Sequence, residues 1–363
     1  MKTTFTTRRA MAHNTTGRKN QHYIFGLDTF GDLAIGKNGK LMNHAESIRL
    51  VLKEAVMADK LGVDVIALGE HHREEYAISS PEMVLSAIAS KTKNIKLSSA
   101  VTVLSSDDPV RVFERFSTLD AVSNGRAQII IGRGSFTESF PLFGYDLQNY
   151  EALFEEKIEL FSKLLKEEPV SWQGTFTQSL DHASVFPKTE SGYLETLVGV
   201  GGSPQSVVRA AAYKFPLMLA IIGGSPERFA PYVELYKRSS KEFGHEPHPI
   251  GMHSPGFIAD TDEEAIKQSF PYFKEQMDRV GKTRGWTPMR YDHFLSEVEH
   301  GSMYVGSPET VAKKIAHAMK TVGATRFDLV YGFGPVPADA RLYTVELYGK
   351  KVIPRVRELL AEG

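Results

Sequence analysis

The chain has 363 residues, 42% of them hydrophobic and 24% charged, with a formal net charge of −1 and no cysteine. That is ordinary globular composition, with room for one large α/β domain or two smaller ones. It gives no electrostatic argument for nucleic acid or an anionic membrane, and it excludes disulfides, thiolate metal sites and a cysteine nucleophile.

No apolar run reaches the roughly 18 residues that span a bilayer. The first twenty residues hold five basic side chains (Lys2, Arg8, Arg9, Arg18, Lys19) and no acidic one. They lack the apolar centre of a secretory signal. Residues 1–20 read as a disordered basic tail or as sequence upstream of the true start, with a transit-like or twin-arginine signal as the alternative. Residues 21–363 read as a single domain. The absence of cysteine fits a reducing compartment, and a cytoplasmic location is expected.

From Tyr23 the pattern alternates. "YIFGLDTF" reads as a strand, and "HAESIRLVLKEAVMADKLG" as a helix stopped by Gly62. "VDVIALGE" is a second strand, and "SPEMVLSAIASKT" opens a helix with Ser80 as cap and Pro81 at its first position. "IKLSSAVTVL" and "RAQIIIGRG" are strands three and four, separated by the helix "DPVRVFERFSTLDAVSNG". The long helix "YEALFEEKIELFSKLLKEE" precedes "VSWQGTFTQ", which reads as a small hairpin. "LETLVGVGG", "FPLMLAIIGG" and "PIGMHSPGFIAD" are strands five to seven, each followed by a helical pattern. "RFDLVYGFG" is the eighth, with a last helix around residues 340 to 361.

Eight short apolar strand–helix units predict a (β/α)8 barrel of the TIM type, whose strands are buried on both faces. A doubly wound sheet would favour a G-x-G-x-x-G after the first strand, and the chain has instead the longer polar loop "GLDTFGDLAIGKNGK". About forty residues after Gly281 lie between strand seven and the last unit, a candidate lid over the barrel mouth.

Side chains at strand C-terminal ends face a barrel's active site. That places Glu70, His71 and His72 at the mouth after strand two. Adjacent strand residues point to opposite faces, so the two histidines do not easily share a metal ion, and His253 lies early in strand seven, too deep for an easy third ligand. An acid/base or cofactor-contacting role for one imidazole, polar packing of both, and a metal site all stay open, the last the weakest. "GGSP" occurs at Gly201–Pro204 and Gly223–Pro226, each directly after a barrel strand. Serine followed by proline is ordinary helix capping. Paired glycines at a fresh helix start also offer free N–H groups to an anion, so the two junctions, with Arg133 after strand four, suggest a phosphate site. For "GSP" at Gly306–Pro308 capping is the whole reading. Trp286, Met289, Tyr291, Phe294, Phe136 and Phe140 favour an apolar pocket, although aromatic residues are also ordinary packing.

The stretch "GEHH", the run "SSAVTVLSSDDPVRVFERFSTLDAVSNGRAQIIIGRGSFTESFPLFGYD" and "GVGGSPQSVVRAAAYKFPLML" resemble the bacterial luciferase-like family of flavin-dependent monooxygenases, over about Tyr23 to Leu359. The resemblance implies a barrel that binds FMN at its mouth. The family's catalytic histidine falls on His71, with Glu70 where the family keeps an acid. Its phosphate-binding arginine matches Arg133, and its phosphate-contacting hydroxyls match Ser203 and Ser206. Gly202 stands where luciferase carries an acidic residue, so contacts there, and at Gly201, Gly223 and Gly224, are expected to be mainly backbone. A non-proline cis peptide is expected at Ala100–Val101, behind the flavin ring, with Thr102 beside it. The implied chemistry is oxygenation of a small, apolar substrate through a flavin C4a-peroxide, with reduced FMN from a separate reductase, in a homodimer. Use of the deazaflavin F420, or flavin binding with little catalysis, are the alternatives.

Overall fold

The computed structural model describes residues 22–362, so the basic segment 1–20 lies outside the described residues. Eight parallel strands form the barrel: β1 (Ile24–Thr29), β2 (Val65–Leu68), β3 (Lys96–Ser99), β4 (Ala127–Gly132), β5 (Glu195–Val200), β6 (Leu217–Ala220), β7 (Gly251–Ile258) and β8 (Arg326–Val330). Each pairs with the next, and β8 pairs with β1, which closes the ring. The strand-rich reading of the sequence therefore holds for all eight units.

Outside the ring lie α1 (His44–Lys60), α2 (Pro81–Ala89), α3 (Pro109–Ser123), α4 (Tyr150–Leu164), α5 (Pro204–Ala212) and α6 (Ala230–Glu242). After β7 come α7 (Asp262–Arg284), α8 (Tyr291–Glu299) and α9 (Pro308–Val322), and after β8 come α10 (Ala338–Leu347) and α11 (Ile353–Ala361). Local chemistry sets the ends. Asn43 and Glu46 form a reciprocal capping box at α1. Asp108 accepts two backbone N–H groups ahead of Pro109 at α3, which ends on Asn124 in the left-handed region at φ 56°. Ser80 precedes α2 as expected, but its side chain makes no capping hydrogen bond. The buried pair of Arg341 with Glu54, joined by the Tyr331 hydroxyl, ties α10 to α1 and β8.

Three details depart from the sequence reading. The hairpin returns later than expected, pairing Val170–Trp172 with Leu180–Ala183. Helix α7 runs on through Pro271 and Gly281 to Arg284, so the segment expected to open the insertion is its last turn. Only the lower part of β7 belongs to the ring. Gly256, Phe257 and Ile258 pair instead with the extra strand Tyr304–Gly306 of the insertion. The insertion has its own apolar cluster, including Phe257, Phe273, Met289, Phe294 and Met303, apart from the main core. Met289 and Phe294 are thus packing residues, and neither lines the cavity at the barrel mouth. Among the described residues no helix is long and apolar enough to cross a membrane.

Candidate active site

A cavity of about 680 Å³ opens at the C-terminal end of the barrel. That volume lies in the usual range of small-molecule and cofactor sites, roughly 300–1,000 Å³. Of the residues singled out from sequence, Glu70, His71, Ala100, Val101, Arg133, Gly201, Gly202, Ser203, Ser206 and Gly223 meet in its wall.

Val101 forms the back of the cavity. The peptide bond Ala100–Val101 is cis, as the resemblance implied. Two glycines on neighbouring strands make room for the side chain: a Cβ on Gly132 would lie 2.8 Å from Val101 Cγ2, and one on Gly199 would lie 2.7 Å from Val101 Cγ1. Both distances are far inside carbon–carbon contact, so these positions need glycine for space. Ala100, Ile130 and Met218 continue the same apolar wall. Thr102 turns away from it: its side chain is buried and donates to Ser99 Oγ at 2.9 Å, so it contributes no cavity contact.

The polar end lies beyond β4 and β5. Ser203 caps α5, accepting the Ser206 N–H at 3.4 Å, and Gly202 adopts φ 118°, which favours glycine. Arg133 sits over the Tyr150 ring at 5.3 Å and is ion-paired with Glu151. Arg209, which the sequence reading missed, is buried beside Ser206 and donates to Glu155 at 2.6 Å. One guanidinium group, two hydroxyls and a helix start thus meet at this end of the cavity, with Arg209 behind Ser206 and the half-exposed Glu151 and Glu155 as counter-charges. This donor set fits a phosphate, and the adjoining apolar slot fits a flat ring, so the residues suit a flavin mononucleotide.

The second glycine junction does not share this role. The Gly224 N–H donates to the Glu297 carboxylate at 3.1 Å, and Arg228 covers Gly224, which lies outside the cavity wall. Ser225 leads into a 3-10 turn, Pro226–Phe229, so the pair of free helix starts expected from sequence reduces to one, at Ser203.

His71 faces the cavity inside an aromatic cage, with ring centroids at 4.3 Å from Tyr76, 5.3 Å from Phe136 and 5.7 Å from Phe30. Burial pushes its pKa down to about 3, with the neighbouring His72 and Arg73 charges adding to the effect. The imidazole is therefore neutral at physiological pH. Glu70 accepts the Val103 N–H at 2.8 Å and bonds His72 Nε2 at 3.0 Å, so it positions a neighbour and satisfies a buried donor. His72 diverges from His71 toward Phe143, but it also reaches the cavity wall.

The mouth is narrowed from the insertion side. Gln276, Met277, Val280, Arg284 and Trp286 line it, and Arg284 reaches the Phe136 ring of the loop after β4 at 6.0 Å. Gln276 donates to the Tyr76 hydroxyl at 2.8 Å, tying α7 to the loop that carries His71. Phe140 is buried against Tyr150 and does not line the site.

Sequence reasoning also missed Asp28 and placed His253 too deep. His253 Nδ1 and Asp28 Oδ2 share a hydrogen bond of 2.5 Å, and His253 lies in the cavity wall. It is level with Ala220, the last residue of β6, because the upper part of β7 has left the ring. The histidine that looked too deep is therefore at the mouth.

A sequence model described as luciferase-like monooxygenase matches residues 29–326. The alkanal monooxygenase alpha chain of Photorhabdus luminescens is 28% identical over 247 residues, which is 66% of this chain and 65% of that one. The chain thus spans a little under two thirds of that relative's length. In three dimensions it superposes on the oxygenating constituent of 3,6-diketocamphane monooxygenase from Pseudomonas putida, in complex with FMN, with TM-score 0.74, 21% identity, and 92% and 99% of the two chains covered. The coenzyme F420 dependent tetrahydromethanopterin reductase of Methanopyrus kandleri superposes with TM-score 0.70 at 20% identity, covering 92% and 99%.

Proposed function

The chain belongs to the luciferase-like monooxygenase family, and we propose that it binds FMN at the barrel mouth and oxygenates a small, mostly apolar organic substrate. One observation carries this reading: a single cavity joins a flat apolar slot backed by Val101 to an anion-binding end at Arg133, Ser203 and Ser206, with His71 facing in. Reduced FMN, when bound, supplies two electrons and activates dioxygen for transfer of one oxygen atom to the substrate. The chain's own residues bind, shield and position. Arg133 and the start of α5 would hold the phosphate, with Arg209 supporting Ser206 from behind. Phe30, Phe136, Met277 and Trp286 keep water from the reacting face. His71, neutral in its aromatic cage, gives or takes a hydrogen bond through a ring nitrogen at the reacting centre, and Glu70 fixes the loop beside it.

The reduced flavin is expected from a separate reductase, since the sequence carries no nicotinamide-binding fingerprint. A homodimer is expected from the family; light scattering that gave the mass of one chain, 40.4 kDa, would refute it. The alternative cofactor is F420, favoured by one feature: a second, shallow groove shares Arg133 and Ser203 with the cavity and adds Arg209, a path for a longer anionic tail.

The test is a substrate screen. Protein is mixed anaerobically with reduced FMN, then with oxygen and each of a panel of alkanes, aldehydes, ketones and ring compounds, and oxygenated product is measured by mass spectrometry. Product that depends on both the protein and FMN supports the proposal. FMN binding without product across the panel would leave only the flavin-binding reading, and reconstitution with F420 alone would move the chain to the alternative.

A further inference from the structure

The imidazole of His71 faces the cavity with nothing holding its nitrogens. Its backbone N–H donates to the Ile78 carbonyl at 2.9 Å, but among the described residues neither ring nitrogen has a hydrogen-bond partner. The ring torsion of a histidine is soft, so its plane has to be set from outside. Phe30 and Phe136 meet the ring edge to face, at interplanar angles of 89° and 69°. Tyr76 lies across it, with the centroids 4.3 Å apart and the planes inclined by 34°. Of the three contacts this one is the nearest, and it is the one that opposes a tilt of the imidazole.

Tyr76 is itself anchored. It is buried, and its hydroxyl lies 2.8 Å from Gln276 Nε2 on α7. An amide and a phenol each donate and accept, so this contact is a hydrogen bond whichever way the amide is turned. Gln276 is buried as well, and its helix has no room to slide. Gly334, after β8, touches α7 so closely that a Cβ on it would lie 2.6 Å from the Tyr272 carbonyl oxygen and 3.1 Å from Gln276 Cβ. The Gly334 N–H is held in turn by the Asp32 carboxylate, and the Asp32 backbone bridges to Tyr76. Contacts thus run from α7 through Gly334 and Asp32 to Tyr76, and the Gln276 amide closes the circuit. On the same helix Met277 and Val280 line the ligand space.

We propose that Gln276 is a positioning residue: through the Tyr76 hydroxyl it holds the tyrosine ring against His71, so that the insertion helix sets the plane of the imidazole. The side chain that faces the reacting centre is then aligned only while α7 is seated on the barrel. For its consequence in catalysis this rests on the reading of His71 given above, but the alignment itself is measurable without a substrate.

The variants are Tyr76→Phe, Gln276→Leu and the two together. Each single change strands one buried polar group and lowers the melting temperature, whereas the double change removes both partners at nearly constant volume and should melt close to the wild type. The first readout is the ring ¹H and ¹⁵N resonances of His71, in the FMN-free and the FMN-loaded protein, identified by their loss in His71→Asn. All three variants should displace these resonances, and the double variant no further than the singles, because the same contact is broken in each. A role confined to stability would leave them at the wild-type position in the double variant. The second readout is the oxidation of bound reduced FMN by dioxygen, two electrons passing to give hydrogen peroxide, followed by flavin absorbance. The double variant should depart from the wild-type rate in the same direction as His71→Asn, by about 3- to 100-fold, the upper figure being the cost of a group misplaced by about 1 Å. Wild-type resonances in the double variant, or a wild-type oxidation rate there when His71→Asn changes it, overturns the proposal. If the double variant does not fold, Tyr76→Phe decides by the same two readouts. An unchanged rate in His71→Asn with displaced resonances in the double variant would count against the catalytic reading of His71 and leave its positioning by Gln276 standing.

Discussion

Replacing Gly199 by alanine tests the apolar slot most directly. The added Cβ would meet Val101 Cγ1 at 2.7 Å, where carbon atoms are comfortable at roughly 3.5–4.0 Å. The shortfall is about 1 Å. Val101 cannot relieve it by rotating, because a β-branched side chain is stiff at χ1 and its other methyl already lies against Gly132. Its free direction is into the cavity, where the flavin ring is proposed to lie. Overpacking of this kind costs about 1–3 kcal/mol. Falling on the bound state, that is a rise of about 5- to 150-fold in the FMN dissociation constant. Quenching of flavin fluorescence on titration measures it. The melting temperature of the free protein should fall only slightly, since Val101 can lean into the cavity without FMN there. Val101→Ala in the same background removes the clashing methyls, so the double variant should bind FMN within about threefold of Val101→Ala alone. Wild-type affinity in Gly199→Ala, or a loss that Val101→Ala does not correct, would refute the placement of the ring against Val101.

His71→Asn should keep FMN affinity and lower turnover by about 10²–10³, the usual worth of a preorganised hydrogen-bonding group at the reacting centre, while His72→Asn lowers the melting temperature more than the rate. With its pKa pushed down to about 3, His71 stays neutral throughout the working range, so the wild-type rate should show no inflection near pH 6.5 that His71→Asn abolishes; such an inflection would contradict the caged, neutral imidazole. Arg133→Ala should weaken FMN more than riboflavin, which lacks the phosphate, and Glu151→Gln should tighten FMN by removing the competing carboxylate; equal effects on both ligands would remove the phosphate from this end. Limited proteolysis should cut the exposed turn between α7 and α8, around Gly285–Pro288, and FMN should slow it; a rate indifferent to FMN would argue that the insertion is a fixed rim and no lid.

The eight strands were legible because each is a short apolar run bounded by glycine, proline or polar residues, and burial on both faces leaves no other economical pattern. The division of β7 was not: "GMHSPGFI" reads as one strand, and only pairing with Tyr304–Gly306, far along the chain, takes its upper half out of the ring. For the same reason His253 was placed a layer too low. Asp28 did leave a signal, a carboxylate inside the apolar run "IFGLDT", but its partner is 225 residues away and no local rule connects them. Glu70, His71, Arg133 and Ser203 were readable because strand ends and helix starts mark a barrel's mouth. Gly224 had the same local signature as Gly202 and a different fate, decided by the carboxylate of Glu297 arriving from α8.

The separate apolar cluster of the insertion divides labour within one segment. Phe273 and Phe294 hold α7 and α8 together and pack on Phe333 after β8, while Gln276, Met277, Val280 and Arg284 on α7 line the cavity. It is joined to the barrel by a ladder of three residue pairs, by Gln276 on the Tyr76 hydroxyl, by Glu297 on the Gly224 N–H and by packing on Val330, Phe333 and Val336. A segment whose interior is mostly its own can change its ligand-facing side chains so long as its packing on Val330, Phe333 and Val336 is kept, and it makes a natural cassette: exchange between Gly256 and Gly306 with those contacts held would re-cut the upper wall of the cavity while the Val101 slot and the Arg133 end stay in place.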